Sequence, residues 1–120
     1  MAKILIAEDE DTVRNLVSRV LQMHDHEVKA VPDGSAALEA LSQDEYDLLL
    51  TDIVMPLVDG IALALKASVD YPSMRIVMMT GYAEQKRRAE NLDFLLHDVL
   101  LKPFSIEELA DAVHQTLNAE

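Results

Sequence analysis

Residues 48–56 have the sequence LLLTDIVMP, and this stretch decides the fold of the 120-residue chain. The apolar run ends in Asp52, and Pro56 and the pair Asp59-Gly60 mark a turn after it. A short apolar run bounded by turn signals is typical of a strand that is buried on both faces of a parallel sheet. Ligands bind at the carboxyl edge of such sheets, so we predict that Asp52 is the functional residue.

Strand patterns also occur before and after this stretch in the sequence, and strand and helix patterns alternate five times along the chain. This alternation predicts an α/β fold with a parallel sheet covered by helices on both faces. The length predicts one domain that spans residues 1–120, with no linker left for a second domain. The other predicted strands are Lys3–Ala7, Glu27–Val31, Arg75–Met79 and Val99–Leu101, and the predicted helices begin near Asp11 or Thr12, at Ser35, at Gly60 (to about Val69), at Ala83 (to Leu92) and after Ser105.

Three of the helix starts carry capping signals. Asp11 or Thr12 can cap the first helix and Ser35 the second. Ser105, with Glu108 three residues later, predicts a capping box for the last helix. The apolar residues predicted to line the buried side of that helix are Ile106, Leu109, Val113 and Leu117.

The composition excludes several classes of function. The formal net charge of −12 repels nucleic-acid phosphates, and Lys86-Arg87-Arg88 is better explained as a solvated helix face. The absence of cysteine excludes disulfides, thiolate zinc sites and thiol nucleophiles. No run is long enough to span a bilayer, so we expect a cytoplasmic protein with no membrane partner.

Polar residues stand at the ends of four predicted strands, where the carboxyl edge of a parallel sheet would gather them. Glu8 and Asp9 follow the first strand, Asp52 ends the third, and Thr80 and Lys102 follow the fourth and fifth. Crowded carboxylates must share a cation or a proton, and oxygen ligands without His or Cys favour Mg²⁺. With Lys102 available for a phosphate oxygen, the set predicts phosphoryl transfer to a carboxylate.

Each of these residues also has a simpler explanation. The acidic cluster at residues 8–11 could only mark a helix start. Thr80 and Lys102 could be an ordinary strand end and a surface lysine, and Asp59-Gly60 could be only turn chemistry. The four histidines, which lack a convincing ligand spacing, are best explained as solvated surface residues: His24, His26, His97 and His114.

Four short motifs together make the chain resemble a response-regulator receiver domain over essentially its whole length. They are ILIAED at residues 4–9, TDIVMP with Asp59-Gly60 at residues 51–60, MTG at residues 79–81 and KPF at residues 102–104. The resemblance implies a flavodoxin-like (βα)5 fold with strand order 2-1-3-4-5. It also implies a role in a two-component phosphorelay.

The resemblance assigns a role to each residue of the set. Asp52 would accept a phosphoryl group from a histidine kinase or a histidine phosphotransfer protein. Thr80 would move to the new phosphoryl oxygen and Lys102 would pair with it, next to a cis Lys102-Pro103 bond. The implied Mg²⁺ ligands are Glu8, Asp9, Asp52 and the backbone carbonyl of Val54.

The chain departs from the receiver pattern three residues before Lys102. Receivers usually carry a switch Tyr or Phe there, and this chain has Val99. Tyr82 could supply the aromatic instead, or it could be an exposed loop tyrosine without a switching role. Val54 is apolar where many receivers have a polar side chain, and this could affect the lifetime of the phosphoryl group.

The overall pattern is similar to the CpdR type of single-domain receiver. This resemblance implies a stand-alone switch without an output domain, linked to regulated proteolysis by the Clp protease machinery. Two alternatives stay open at this stage. One is a pseudo-receiver that acts as a phosphorylation-independent adaptor. The other is an aspartate-nucleophile phosphatase of the haloacid dehalogenase class, although Val54 stands where that class needs a second Asp.

Overall fold

The computed structural model describes residues 2–91 and 98–119, which form a five-stranded parallel sheet flanked by helices. The strand order is β2-β1-β3-β4-β5, which confirms the predicted flavodoxin-like topology. In chain order the elements are β1 (Lys3–Ala7), α1 (Asp11–Met23), β2 (Glu27–Val31), α2 (Gly34–Gln43), β3 (Leu48–Asp52), α3 (Gly60–Asp70), β4 (Arg75–Thr80), α4 (Ala83–Glu90), β5 (Asp98–Leu101) and α5 (Ile106–Leu117).

Strand β3 lies at the centre of the sheet, between β1 and β4. All five of its residues are buried, because helices cover both of its faces. Leu49 packs in the core on one side, whereas Leu48 and Leu50 pack in the core on the other. The period of two along the strand therefore divides the leucines between two cores and leaves Asp52 at the carboxyl edge.

The helix starts confirm one capping prediction and correct two. Ser105 and Glu108 form the predicted capping box on α5. The cap of α2 is Asp33 rather than Ser35, because the Asp33 carboxylate accepts the Ala36 N–H at 2.8 Å. Helix α1 begins at Asp11, and its N-cap is Glu10, whose side chain makes no capping hydrogen bond.

Two other sequence predictions are wrong in part. Ile106 is exposed. It is the first residue of α5, and the residues of this helix that are buried begin at Leu109. His26 is half-buried, and its Nδ1 accepts the Ala2 N–H at 3.1 Å, so it is not a free surface residue. The predicted helix end at Leu92 and the histidine His97 lie outside the described residues.

Within the described part of the chain, every helix is too short or too polar to cross a lipid bilayer.

Candidate functional site

The ends of four strands bring the predicted site residues to one edge of the sheet. β1 and β4 are the two neighbours of β3, so Glu8 and Asp9 follow on one side of Asp52 and Thr80 stands on the other. Lys102 follows β5, and its backbone N–H donates to the Thr80 carbonyl at 2.7 Å. The parallel topology thus gathers residues that are far apart in the sequence.

Lys102 joins two buried carboxylates at this edge. Its Nζ donates to Glu8 Oε1 at 2.6 Å and to Asp52 Oδ2 at 3.1 Å. The Glu8 side chain is 0% exposed and the Asp52 side chain 8%. Buried carboxylates are costly without a partner, and the ammonium group supplies one to both.

The charges at this edge shift two pKa values. Burial lowers the pKa of Lys102, but the hydrogen bond that its ammonium group donates to Glu8 and the negative charge of Asp52 outweigh burial and hold the pKa above its ordinary value. Burial, together with the hydrogen bond and the negative charge of Glu8, raises the pKa of the Asp9 carboxyl. Lys102 is therefore a fixed positive charge at neutral pH, and Asp9 stands in a crowded acidic group.

The three acidic residues fit a divalent cation. Glu8, Asp9 and Asp52 each offer a carboxylate oxygen, and these three oxygens lie within 4.8 Å of one another. The donor set is oxygen only, as Mg²⁺ prefers, and Asp9 is exposed at the mouth of the group. Mg²⁺ at this position would neutralise the carboxylates from the solvent side.

Comparison with known proteins identifies the family. A family model described as the response regulator receiver domain matches residues 4–114. The chain belongs to this family. It is 34% identical over 119 residues to the response regulator receiver protein CpdR of Brucella abortus, and the alignment covers 99% of both chains. It also matches the response regulator FleR of Pseudomonas aeruginosa at 34% identity, but it spans only 24% of the length of that protein.

Solved structures support the same assignment. The response regulator TrrA of Thermotoga maritima, crystallised with Mg²⁺ and BeF, has a TM-score of 0.87 at 27% identity, with 97% of this chain and 99% of that chain covered. A CheY-like receiver from Methanospirillum hungatei has a TM-score of 0.91 at 24% identity, with 98% and 94% covered. The second likeness supports the fold alone.

The loop after β3 positions Asp52 in this receiver. The Gly60 N–H donates to the Ile53 carbonyl at 2.7 Å, and the Ile53 N–H donates to the Met79 carbonyl at 2.9 Å. A Cβ atom on Gly60 would lie 2.0 Å from the Asp52 carbonyl oxygen, so only glycine fits. The sequence indicated turn chemistry at Asp59-Gly60, and Asp59 does cap α3, but this close approach to Asp52 was missed.

Arg14 is a second site neighbour that the sequence did not indicate. Its Nη1 donates to the Glu8 carbonyl oxygen at 2.8 Å, and its other guanidinium nitrogen pairs with Asp11. The contact holds the backbone between β1 and α1, next to the acidic group. Arg14 stands in the first turn of an amphipathic helix, where a basic residue normally indicates only a solvated face.

The residues considered as switch elements differ in their burial. Thr80 is fully buried, and its hydroxyl oxygen accepts the Tyr82 N–H at 3.2 Å. Tyr82 is 63% exposed and Val54 46% exposed, so both present apolar surface at this edge. Val99 is buried in the core and carries no ring that could move.

Proposed function

We propose that this receiver is a phosphorylation-controlled switch and that Asp52 is its phosphoacceptor. The proposal rests on one observation above all. The Asp52 carboxylate ends the central strand in contact with Lys102, and its oxygen lies within 4.8 Å of carboxylate oxygens of Glu8 and Asp9. A reactive carboxylate, a cation site and a fixed ammonium group are the parts that phosphoryl transfer requires.

The phosphodonor is a histidine kinase or a histidine phosphotransfer protein. One Asp52 oxygen forms a bond to phosphorus while the bond between phosphorus and the donor's imidazole nitrogen breaks, and the nitrogen keeps that electron pair. The product is an acyl phosphate on Asp52. That product adds negative charge beside Glu8 and Asp9, so the site needs positive charge near the phosphoryl group, from a cation and from Lys102.

Each remaining site residue has a role in this step. Glu8, Asp9, Asp52 and the backbone carbonyl of Val54 would hold Mg²⁺, and the bound ion would supply positive charge next to the incoming phosphoryl group. Lys102 pairs with a phosphoryl oxygen, and the Thr80 hydroxyl donates to another. We expect a switch of this kind to turn over its own phosphoryl group and no other substrate.

The signal leaves through a protein partner. We propose that this receiver acts in the cytoplasm and that its phosphorylation state changes a partner surface near α4, β5 and α5. The similarity to CpdR along 99% of both chains supports a related downstream role, which we propose is the control of regulated proteolysis through the Clp protease machinery.

Intact-mass spectrometry tests the phosphoacceptor. The purified chain is incubated with a small acyl phosphate and Mg²⁺, and we expect a mass gain of one phosphoryl group that is absent from Asp52→Asn. Asp70→Asn, which changes an acid on the exposed face of α3, is the matched control and should gain the same mass.

Two other results would overturn this assignment. A chain that gains no mass, or gains it equally in Asp52→Asn, would favour the pseudo-receiver adaptor. Sustained hydrolysis of small phosphate esters would favour the phosphatase.

A further inference from the structure

A cavity at the amino edge of the sheet, opposite to the edge of Asp52, gathers three of the four histidines of the chain. It has a volume of about 270 Å³ and lies between the end of α1 and the middle of α5. The sequence did not indicate this group, because two of the histidines follow the first helix and the third stands in the last. The residues that line the cavity are Leu21, His24, His26, Ala110, Asp111 and His114.

The chain at the end of α1 is held by two backbone hydrogen bonds. The His26 N–H donates to the Leu21 carbonyl at 3.1 Å, and the Asp25 N–H donates to the Gln22 carbonyl at 3.0 Å. This pair of bonds is the Schellman motif, which needs a left-handed residue at the turn, and Asp25 has a φ of 67°. The histidines on either side of Asp25 therefore start from fixed backbone positions beside the cavity.

The hydrogen bond of the His24 ring leaves one ring nitrogen with a lone pair. Its Nδ1 lies 2.9 Å from the Val20 carbonyl oxygen. A carbonyl oxygen can only accept, so Nδ1 carries the proton of the neutral ring and Nε2 keeps the lone pair. Histidines that bind metals have this arrangement, in which one ring nitrogen donates to a carbonyl and the other faces the ion.

Helix α5 offers two further ligands from one face. Asp111 and His114 are three residues apart, so they are neighbours along the helix, and both are exposed. A carboxylate and a histidine at this spacing bind metal ions in helical metalloproteins. The two ring nitrogens of His114 lie 3.4 and 3.5 Å from Asn118 Nδ2, and these long contacts favour neither nitrogen, so the ring can turn at low cost.

His26 lines the same cavity but has no lone pair to offer. Its Nδ1 accepts the Ala2 N–H at 3.1 Å, so the proton of the neutral ring is on Nε2. Burial, followed by the positive charges of the N-terminus and His24, lowers the pKa of His26, and His114 lowers it further. The three rings are thus close enough to affect one another, and a neutral His26 does not repel a cation.

We propose that His24, Asp111 and His114 bind a divalent transition metal, for which Zn²⁺ fits best, with water as the fourth ligand. Two imidazoles and a carboxylate suit Zn²⁺, whereas Mg²⁺ prefers oxygen ligands alone. Among the described residues, only the acidic group at the opposite edge has three ligand atoms within 4.8 Å of one another. The exposed Asp111 and His114 side chains must therefore turn toward His24 as the ion binds. The ion joins α1 to α5, and the site does not depend on phosphoryl transfer to Asp52.

Isothermal titration calorimetry with Zn²⁺, in an excess of Mg²⁺ that competes for the acidic group, tests the site. We expect one Zn²⁺ per chain. His24→Gln, Asp111→Asn and His114→Gln should each weaken binding at least about tenfold, because each removes one of three protein ligands. In ¹H–¹⁵N NMR spectra of the histidine rings, Zn²⁺ should shift Nε2 of His24, while Nδ1 keeps its proton.

Two variants serve as controls. His26→Asn keeps an acceptor for the Ala2 N–H and should bind Zn²⁺ as the wild type does. Asp70→Asn removes an exposed carboxylate from α3 and should also leave the affinity unchanged. Zn²⁺ should raise the urea midpoint of the wild type but not that of His24→Gln, and the midpoints without metal show whether each variant is folded.

Zn²⁺ binding that is unchanged in the three ligand variants would overturn the proposal. Equal weakening in His26→Asn would overturn the ligand set, because it would make His26 a ligand. If a ligand variant does not fold, the ring spectra of the wild type still decide, since an absence of shifts at His24 and His114 in millimolar Zn²⁺ would also overturn the site.

Discussion

Replacing Lys102 by Met gives the strongest test of how the site is held together. The substitution keeps most of the apolar stem but removes the ammonium group that donates to Glu8 at 2.6 Å and to Asp52 at 3.1 Å. Removing one partner of a buried ion pair costs about 3 to 5 kcal/mol. We expect a loss of about 3 kcal/mol, because the Lys102 side chain keeps 18% exposure and water can partly replace it.

The loss of stability in Lys102→Met should be measurable at neutral pH. The pKa of Lys102 is raised in the folded state, so the folded chain holds the proton of this ammonium group more tightly than the unfolded chain does. The stabilisation is therefore fully present below about pH 10 and is lost as the pH rises through the raised pKa. Urea unfolding of the metal-free chain in a chelating buffer at pH 7 measures the difference.

Mg²⁺ should stabilise Lys102→Met more than it stabilises the wild type. In the wild type Lys102 already neutralises Glu8 and Asp52, whereas in the variant the two carboxylates face each other without a cation. A ligand that binds only the folded state raises stability by an amount set by its affinity, so the increase in the urea midpoint reports that affinity.

Lys66→Met is the matched control, because Lys66 and Asp70 form an exposed i,i+4 pair on α3. It should lose less than about 1 kcal/mol, as is typical of surface pairs. If Lys102→Met loses no more than this control, the ammonium group does not stabilise the site. Equal Mg²⁺ stabilisation of variant and wild type would contradict the reasoning about the carboxylates.

Two further substitutions test the site and the opposite edge of the sheet. Gly60→Ala places a methyl group 2.0 Å from the Asp52 carbonyl oxygen, so it should cost about 3 kcal/mol in urea unfolding and slow phosphoryl uptake by Asp52. His26→Asn keeps an acceptor for the Ala2 N–H but removes a titrating group. Burial, followed by the positive charge of the N-terminus, lowers the pKa of His26. The stability that the neutral imidazole contributes is therefore lost as the pH falls from about 6.5 through the lowered pKa, and the free energy of unfolding of the variant should depend less on pH.

Each of these substitutions has a control. A Cβ on Gly81 would meet nothing within 4 Å, so Gly81→Ala should change stability by less than about 0.5 kcal/mol. If Gly60→Ala loses no more stability than Gly81→Ala, the loop after β3 can move and Gly60 does not position Asp52. The wild-type chain, unfolded over the same pH range, is the reference for His26→Asn. An unchanged slope in His26→Asn would mean that this imidazole does not titrate differently on folding.

The sequence predicted the strands well because each strand signal was strong and local. β3 is a continuous apolar run, and buried central strands have this pattern in parallel sheets. β1 and β2 also have the predicted bounds, whereas β4 extends one residue further to Thr80 and β5 begins one residue earlier at Asp98. Errors of this size are ordinary at the ends of elements.

The helix caps were harder to predict. Asp33 and Ser35 are both good capping residues, and the sequence does not say which one precedes the first helical residue. The structure selects Asp33, because α2 begins at Gly34, where a Cβ would lie 2.3 Å from the Val58 carbonyl oxygen. That contact joins segments 24 residues apart, so no local pattern could indicate it.

The sequence by itself determined the fold class, the strand order implied by the receiver motifs, and the types of residue at the carboxyl edge. These follow from local periodicity and from motifs of short range. Only the tertiary structure decided that Lys102 bonds to both Glu8 and Asp52, that Arg14 holds the Glu8 carbonyl, and that the Thr80 hydroxyl is bonded to the Tyr82 amide. The physical reason is that a hydrogen bond forms only when donor and acceptor are placed to within a few tenths of an ångström and point toward each other. This placement is set by how the strands and loops pack together.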